Sequence, residues 1–168
     1  MKTPLFAAIT LALSACAATT ESSGPTATVA LRAASGTKIS GNLTFTQVGD
    51  QVRVAGEITG HTPGAKGFHI HDKGDCSAPD AMSAGGHFNP AKAQHGAPGA
   101  GHAGDLGNLV FNESGKATVN LMVRGISVSK EAANGIIGRA VIVHVGTDDF
   151  KTDPTGNAGG RGACGVII

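Results

Sequence analysis

Apolar residues along this chain come in short runs of Val, Ile, Leu, Phe and Thr broken by glycine-rich turns, a pattern of β-strands and not of long helices. Eight runs read as strands: residues 26–33, 38–48, 52–59, 67–72, 109–111, 117–123, 139–145 and 161–168. Gly49-Asp50 marks a hairpin turn between the second and third, and Glu113-Ser114-Gly115-Lys116 marks another. Eight such strands make an all-β sandwich or barrel. The one helical suggestion is a short polar piece at 129–133. Two connections are long, 73–108 and 146–160, and structureless loops of that length in a compact domain are functional or held by something.

The composition agrees with this picture. The 26 glycines suit turns and bulges, and 168 residues without Trp or Tyr bury one modest core. Lysines and arginines number 13 against 12 acids, and no basic run occurs, so charge implies no nucleic-acid partner. The N-terminus reads as an export leader. Met1-Lys2 precedes an apolar run over 4–12, too short to span a bilayer, and then Leu13-Ser14-Ala15-Cys16, which resembles a bacterial lipoprotein box. On that reading residues 1–15 are a signal peptide, Cys16 is lipidated, 16–25 is a flexible tether and 26–168 is the folded domain. A plain secretory leader cut after Ala15 or Ala18 is the alternative. Three cysteines are an odd number for an exported chain, and lipidation of Cys16 leaves Cys76 and Cys164 to pair across a long loop in an oxidising compartment.

The chemistry lies in the histidines. Of seven, all but His61 fall in one grouped pattern: Gly67-Phe68-His69-Ile70-His71, Gly85-Gly86-His87-Phe88-Asn89-Pro90, His95, Gly101-His102-Ala103-Gly104-Asp105 and Val143-His144. Residues two apart on a strand share a face, so His69 and His71 can bind one metal while Phe68 and Ile70 enter the core. His87, His95, His102 and Asp105 have the spacing of loop ligands gathered around an ion, and a metal can order a loop that lacks a core. Six imidazoles and one carboxylate exceed one tetrahedral site, but two sites accommodate them if one ring serves both. Without cysteine among them, copper or zinc is favoured over iron–sulfur. His61 and Lys66 read as surface residues. The stretch Gly99-Ala100-Gly101-His102-Ala103-Gly104 satisfies GxGxxG by chance, since no strand precedes it and no helix follows.

These segments, with the two cysteines and the ending Gly156-Asn157-Ala158-Gly159-Gly160-Arg161-Gly162-Ala163-Cys164-Gly165-Val166-Ile167, resemble copper/zinc superoxide dismutases. The resemblance runs from about Thr26 to the C-terminus. It implies an eight-stranded antiparallel Greek-key sandwich or barrel and one copper and one zinc ion per chain. It also implies copper on His69, His71, His87 and His144, and zinc on His87, His95, His102 and Asp105, with His87 as the deprotonated bridge. Asp148 matches the aspartate that links ligands of both metals, Arg161 the arginine beside the copper that attracts the superoxide anion, and Cys76 and Cys164 the disulfide. The implied reaction alternates copper between two oxidation states, with His87 carrying a proton to the second product. Family members occur as monomers and as homodimers.

The chain also departs from the family. Residues 146–160 are shorter than in many members and lack their Glu-Glu-x-x-Lys run, and Pro154 stands where a steering lysine often precedes the threonine. Lys151 and Lys73 are the candidates to substitute locally, and the sequence does not place them. The longer loop from Cys76 to His87 and the leader together point to a bacterial periplasmic or envelope protein, and Ala17 after Cys16 points to the outer membrane by resemblance to known sorting. Membrane contact is then confined to the lipid. The alternatives are a periplasmic copper/zinc buffer or chaperone-like module without dismutase activity and a domain held by zinc alone. The first usually lacks copper ligands or the arginine, which are kept here; the second gives His69, His71 and His144 no reason to converge.

If Cys16 carries the anchor, Cys16→Ser moves the protein from the membrane to the soluble fraction on cell fractionation. Unchanged membrane association of the variant would refute the anchor.

Overall fold

The computed structural model describes residues 24–168; the leader at 1–15, Cys16 and the tether as far as 23 lie outside the described residues. Eight strands form: β1 Thr26–Ala33, β2 Ser40–Val48, β3 Gln51–Thr59, β4 Gly64–His71, β5 Asp105–Phe111, β6 Lys116–Val123, β7 Ala140–His144 and β8 Arg161–Val166. They join in one sheet in the order β5-β4-β7-β8-β1-β2-β3-β6, every pairing antiparallel. The two end strands, β5 and β6, pack against each other, so the sheet curls into a nearly closed barrel. Because β3 neighbours β6 and β4 neighbours β7, the links β3–β4 and β6–β7 cross the barrel in Greek-key fashion.

Alternation fills the barrel. Ala27, Val29 and Leu31 of β1, Leu43 and Phe45 of β2, and Val52, Val54 and Ile58 of β3 point inward while their neighbours face solvent. Each buried Val, Leu, Ile or Phe contributes about 1.5–3 kcal/mol. On β4 and β7 the pattern changes, because both faces are covered. Phe68, Ile70, Val141 and Val143 enter the barrel core, whereas Ala140 and Ile142 join Ala34, Ala81, Ala84 and Cys164 in a second apolar cluster on the outer side. His69, which pairs with Ile142, lies on that outer face together with His71 and His144. The histidines thus sit between a stiff wall and the long connections laid over it.

Two bulges adjust what reaches this face. In the β4–β5 ladder Gly67 pairs with Asn108, but the register slips and His69 pairs with Asp105 where a regular ladder would bring Leu106. Gly107, at φ 92°, is in the left-handed region that glycine adopts without a Cβ penalty. In the β7–β8 ladder Val143 pairs with Ala163, yet His144 pairs with Arg161 where Gly162 would be regular. A one-residue slip reverses the face a side chain takes. Each bulge therefore delivers a polar residue, Asp105 or Arg161, to the histidine side and leaves Leu106 and Ala163 in the core.

Most strand ends lie within two residues of the positions expected from the sequence. Larger differences have identifiable causes. β5 begins at Asp105, four residues before the expected 109, because pairing with β4 imposes extension on a polar, glycine-containing stretch. Asp105 is accordingly a strand residue and not a loop ligand. β4 begins at Gly64 instead of 67, through pairing of Gly64, Ala65 and Lys66 with Phe111, Val110 and Leu109. The polar piece at 129–133 forms no helix; Ser129 Oγ captures the amides of Glu131 and Ala132 and turns the chain. The one helical element among the described residues is a 3-10 turn at Met82–Ala84.

Cys76 and Cys164 form a disulfide, with Cα atoms 5.8 Å apart and 88 residues apart in sequence. It ties the segment leading to the 3-10 turn onto β8. Replacing both cysteines by serine is expected to lower stability by about 2–5 kcal/mol. Urea denaturation of the oxidised parent and the double variant reads the difference, and equal midpoints would contradict a stabilising bridge.

Candidate metal centre

On the outer face of the barrel seven buried side chains gather into two groups. His69, His71, His87 and His144 form one, and His87, His95, His102 and Asp105 the other; in each, the ligand atoms all lie within 4.8 Å of one another. His69 and His71 come from β4, His144 from the end of β7 and Asp105 from the start of β5. His87 is held by the backbone, pairing with His71 in an isolated bridge, while the next residue's amide, that of Phe88, donates to Ile70 O at 2.8 Å. The 73–104 connection is thereby stitched to β4 beside the histidines that came from it.

Ring orientations follow from the hydrogen bonds. His69 donates from Nε2 to Asp148 Oδ2 at 2.7 Å, His71 from Nδ1 to Gly85 O at 2.9 Å, and His144 from Nδ1 to Gly159 O at 3.0 Å. Carbonyls and an ionised carboxylate can only accept, so the proton is on the bonded nitrogen and the other is bare. His69 Nδ1, His71 Nε2, His87 Nε2 and His144 Nε2 are all buried without a hydrogen-bond partner. Four bare nitrogens facing one another are costly unless a cation takes their lone pairs. Nitrogen-only donors suit copper or zinc.

The second group surrounds one carboxylate. Asp105 Oδ1 lies 2.8 Å from His87 Nδ1 and 3.2 Å from His102 Nδ1, and Oδ2 lies 3.1 Å from His95 Nδ1. The backbone amides of Gly96 and His102 donate to Oδ2 at 3.1 and 2.8 Å. Burial pulls the Asp105 carboxyl up, but the hydrogen bonds from His87 and from these amides outweigh it and hold the pKa below the ordinary value. Three nitrogens and a carboxylate oxygen are a donor set for zinc. The ring of His87 belongs to both groups, Nδ1 toward this one and Nε2 toward the other.

Asp148 ties the two together. Its Oδ2 accepts from His69 and its Oδ1 from His95 Nε2 at 2.9 Å, one ligand of each group. Its backbone is clamped by Asn108, whose Oδ1 accepts from the Asp148 amide and whose Nδ2 donates to the Asp148 carbonyl, both at 2.9 Å. Burial raises its pKa, yet bonds from His69, the Phe150 amide and His95 prevail and hold it at about 2. Gly156, at φ 63°, packs so closely on this pair that a Cβ would collide with Asp148 Oδ1 and His95 Nε2.

Arg161 stands beside His144 across the β7–β8 bulge. Its two terminal nitrogens donate to Ala81 O at 2.7 Å and Gly85 O at 2.6 Å. Gly85 O also holds His71, so one carbonyl fixes the guanidinium and a ligand ring together. Burial lowers the Arg161 pKa from its ordinary value, opposed by Asp80, and a guanidinium remains a cation at neutral pH. The Lys73 stem runs beside Gly85, whereas Lys151 is exposed on the 146–160 connection.

His61 and Lys66 are not simply surface residues. Both are partly buried, and both hydrogen-bond the chain that leaves β7. No sequence motif marks them, because their partners are backbone carbonyls distant in the chain.

A family model described as copper/zinc superoxide dismutase matches residues 39–167. The crystal structure of the clock protein EA4 superposes with a TM-score of 0.76 at 48% identity, over 84% of this chain and 92% of that one.

Burial, the largest cause, pushes His71 from 6.5 down to about 2 and His144 down to about 3. Both stay neutral when folded, while unfolded imidazoles protonate below about 6.5. The unfolded state then binds more protons, so this contribution is present above pH 6.5 and is lost as pH falls towards the folded values. Metal-free protein should lose about 1.4 kcal/mol for each of His71 and His144 between pH 7.5 and 5.5. Denaturant titrations at the two pH values check this, and identical stabilities would contradict the neutral buried rings.

Proposed function

The chain belongs to the copper/zinc superoxide dismutase family, and from that premise we propose that it dismutates superoxide, with copper in the all-histidine group and zinc in the group containing Asp105. The observation that carries this reading is the pairing of four bare, buried imidazole nitrogens with a fixed guanidinium on the same face. A storage site needs the nitrogens but has no use for the guanidinium. A bound copper ion supplies one-electron chemistry, by which two superoxide anions and two protons become dioxygen and hydrogen peroxide.

The protein's own part is to bind, orient and protonate. Arg161 docks the anion: its permanent charge and forked donors match a small oxyanion, and the Ala81 and Gly85 carbonyls fix its pose in advance. Lys73, beside Gly85, adds positive charge near the same spot in place of the steering lysine that Pro154 replaces. His71 and His144 stay neutral at physiological pH and keep their nitrogens available to a metal. His87 Nε2, buried and bare, is the atom at which a proton is held for transfer, while Nδ1 stays turned to the Asp105 group. His87, His95, His102 and Asp105 would close the second site with four protein donors, so an ion held there would be structural, keeping His87 oriented and the 73–104 connection braced. The leader-like pattern of the N-terminal sequence and the disulfide support a place in the cell envelope, where the protein would remove superoxide from outside the cytoplasm.

Purified mature protein loaded with both metals should hold about one copper and one zinc per chain and dismutate superoxide. Arg161→Ala should lower the rate about 10-fold or more, the low end of electrostatic guidance, with metal content unchanged. Metal analysis beside a superoxide assay tests both statements. Full occupancy without dismutation would replace this reading with a copper/zinc-binding module.

A further inference from the structure

His144 is the last residue of β7, and its carbonyl lies beyond the ladder with β4, whose final pair is Phe68 with Val143. The chain then leaves the sheet, and three successive carbonyls are taken by groups from the β3–β4 side. His144 O accepts from the His61 ring at 3.0 Å, Val145 O from Lys66 Nζ at 3.2 Å, and Gly146 O from the Gly67 amide at 2.9 Å. Thr147 Oγ1 completes the run by donating to Ala65 O at 2.8 Å. The first of these contacts falls on the peptide that bears a ligand of the all-histidine group.

His61 is itself well held. Its ring packs on Phe111, which is buried in the barrel, at a centroid distance of 4.8 Å and a tilt of 41°. A carbonyl can only accept, so Nε2 carries the proton toward His144 O. Nδ1 lies 3.2 Å from both the Thr62 carbonyl and the Thr62 hydroxyl, longer than the 3.0 Å from Nε2 to His144 O, and in the neutral ring it accepts from the hydroxyl. His144 is thus fixed twice, at its ring by Gly159 O and at its backbone by His61.

We propose that His61 is a positioning residue for the all-histidine metal group: its Nε2–H grips the His144 carbonyl and sets the peptide from which the His144 imidazole reaches the metal. The inference rests on the reading that copper occupies that group. Partners that orient metal ligands are worth about 10- to 100-fold in metal affinity, and a contact made through the backbone belongs at the low end.

His61→Leu keeps bulk against Phe111 and removes the donor, whereas His61→Gln places an amide donor at a similar reach. The expected result for the Leu variant is about 10-fold weaker copper binding by chelator competition and an altered Cu(II) electron paramagnetic resonance spectrum, with zinc content unchanged. The Gln variant should recover most of both. Parent-like copper affinity and spectrum in the Leu variant would overturn the proposal, as would a Gln variant as impaired as the Leu one. Nitrogen-15 spectra of the unaltered protein give a second test that needs neither variant nor copper: the His61 ring must be the Nε2–H tautomer, and an Nδ1–H ring would overturn the contact. Failure of copper to bind the parent protein, with the Nε2–H tautomer present, would instead overturn the copper assignment and with it the proposed role at the metal.

Discussion

Four imidazole nitrogens of one cluster, together with His95 Nδ1 of its neighbour, are buried without hydrogen-bond partners, and the fold around them makes sense as a means of presenting them to cations. In water each nitrogen would be solvated, and in this interior each is a loss unless a metal takes its lone pair. Protonation offers no escape, since burial disfavours charge on His71 and His144. The site is therefore an unfavourable arrangement that the barrel wall keeps in place and that a metal would relieve, which would couple metal binding to folding. His87 concentrates this coupling, because its two nitrogens face the two groups.

The supporting parts divide by stiffness. Strands β4 and β7, covered on both faces, fix His69, His71 and His144, and the bulged partners β5 and β8 bring Asp105 and Arg161 to the same side. The two long connections supply what the wall cannot, and each is fastened at more than one point. The 73–104 segment is pinned by the disulfide, by the His71–His87 bridge and by the Arg161 bonds to Ala81 and Gly85. The 146–160 segment is pinned by Asn108 on Asp148, by the Gly67 amide on Gly146 O and by Thr147 Oγ1 on Ala65 O. Asp148, holding His69 and His95 at once, is the one side chain through which this segment orients both groups.

Family membership and the likeness to a clock protein are compatible, since one fold can carry several functions. What separates this chain from a bare scaffold is its local chemistry, above all an arginine whose terminal nitrogens are fixed beside a histidine ligand. The chain leaving β7 is held by His61 and Lys66 from the β3–β4 side.

By itself the sequence determined the class of fold, the strand that carries His69 and His71, the identity of the grouped histidines and the cysteines available to pair. Each of these depends on local periodicity or residue type, and a period of two on a regular strand is legible without knowing the partner. Tertiary structure alone decided that Asp105 begins a strand, that Arg161 turns to the histidine side and that His61 grips the His144 peptide. A bulge reverses the face of a residue only in relation to the strand beside it, and a carbonyl left beyond a ladder is visible only once the ladder has been laid. Such residues carry no mark in the sequence because their role is set by where distant backbone ends.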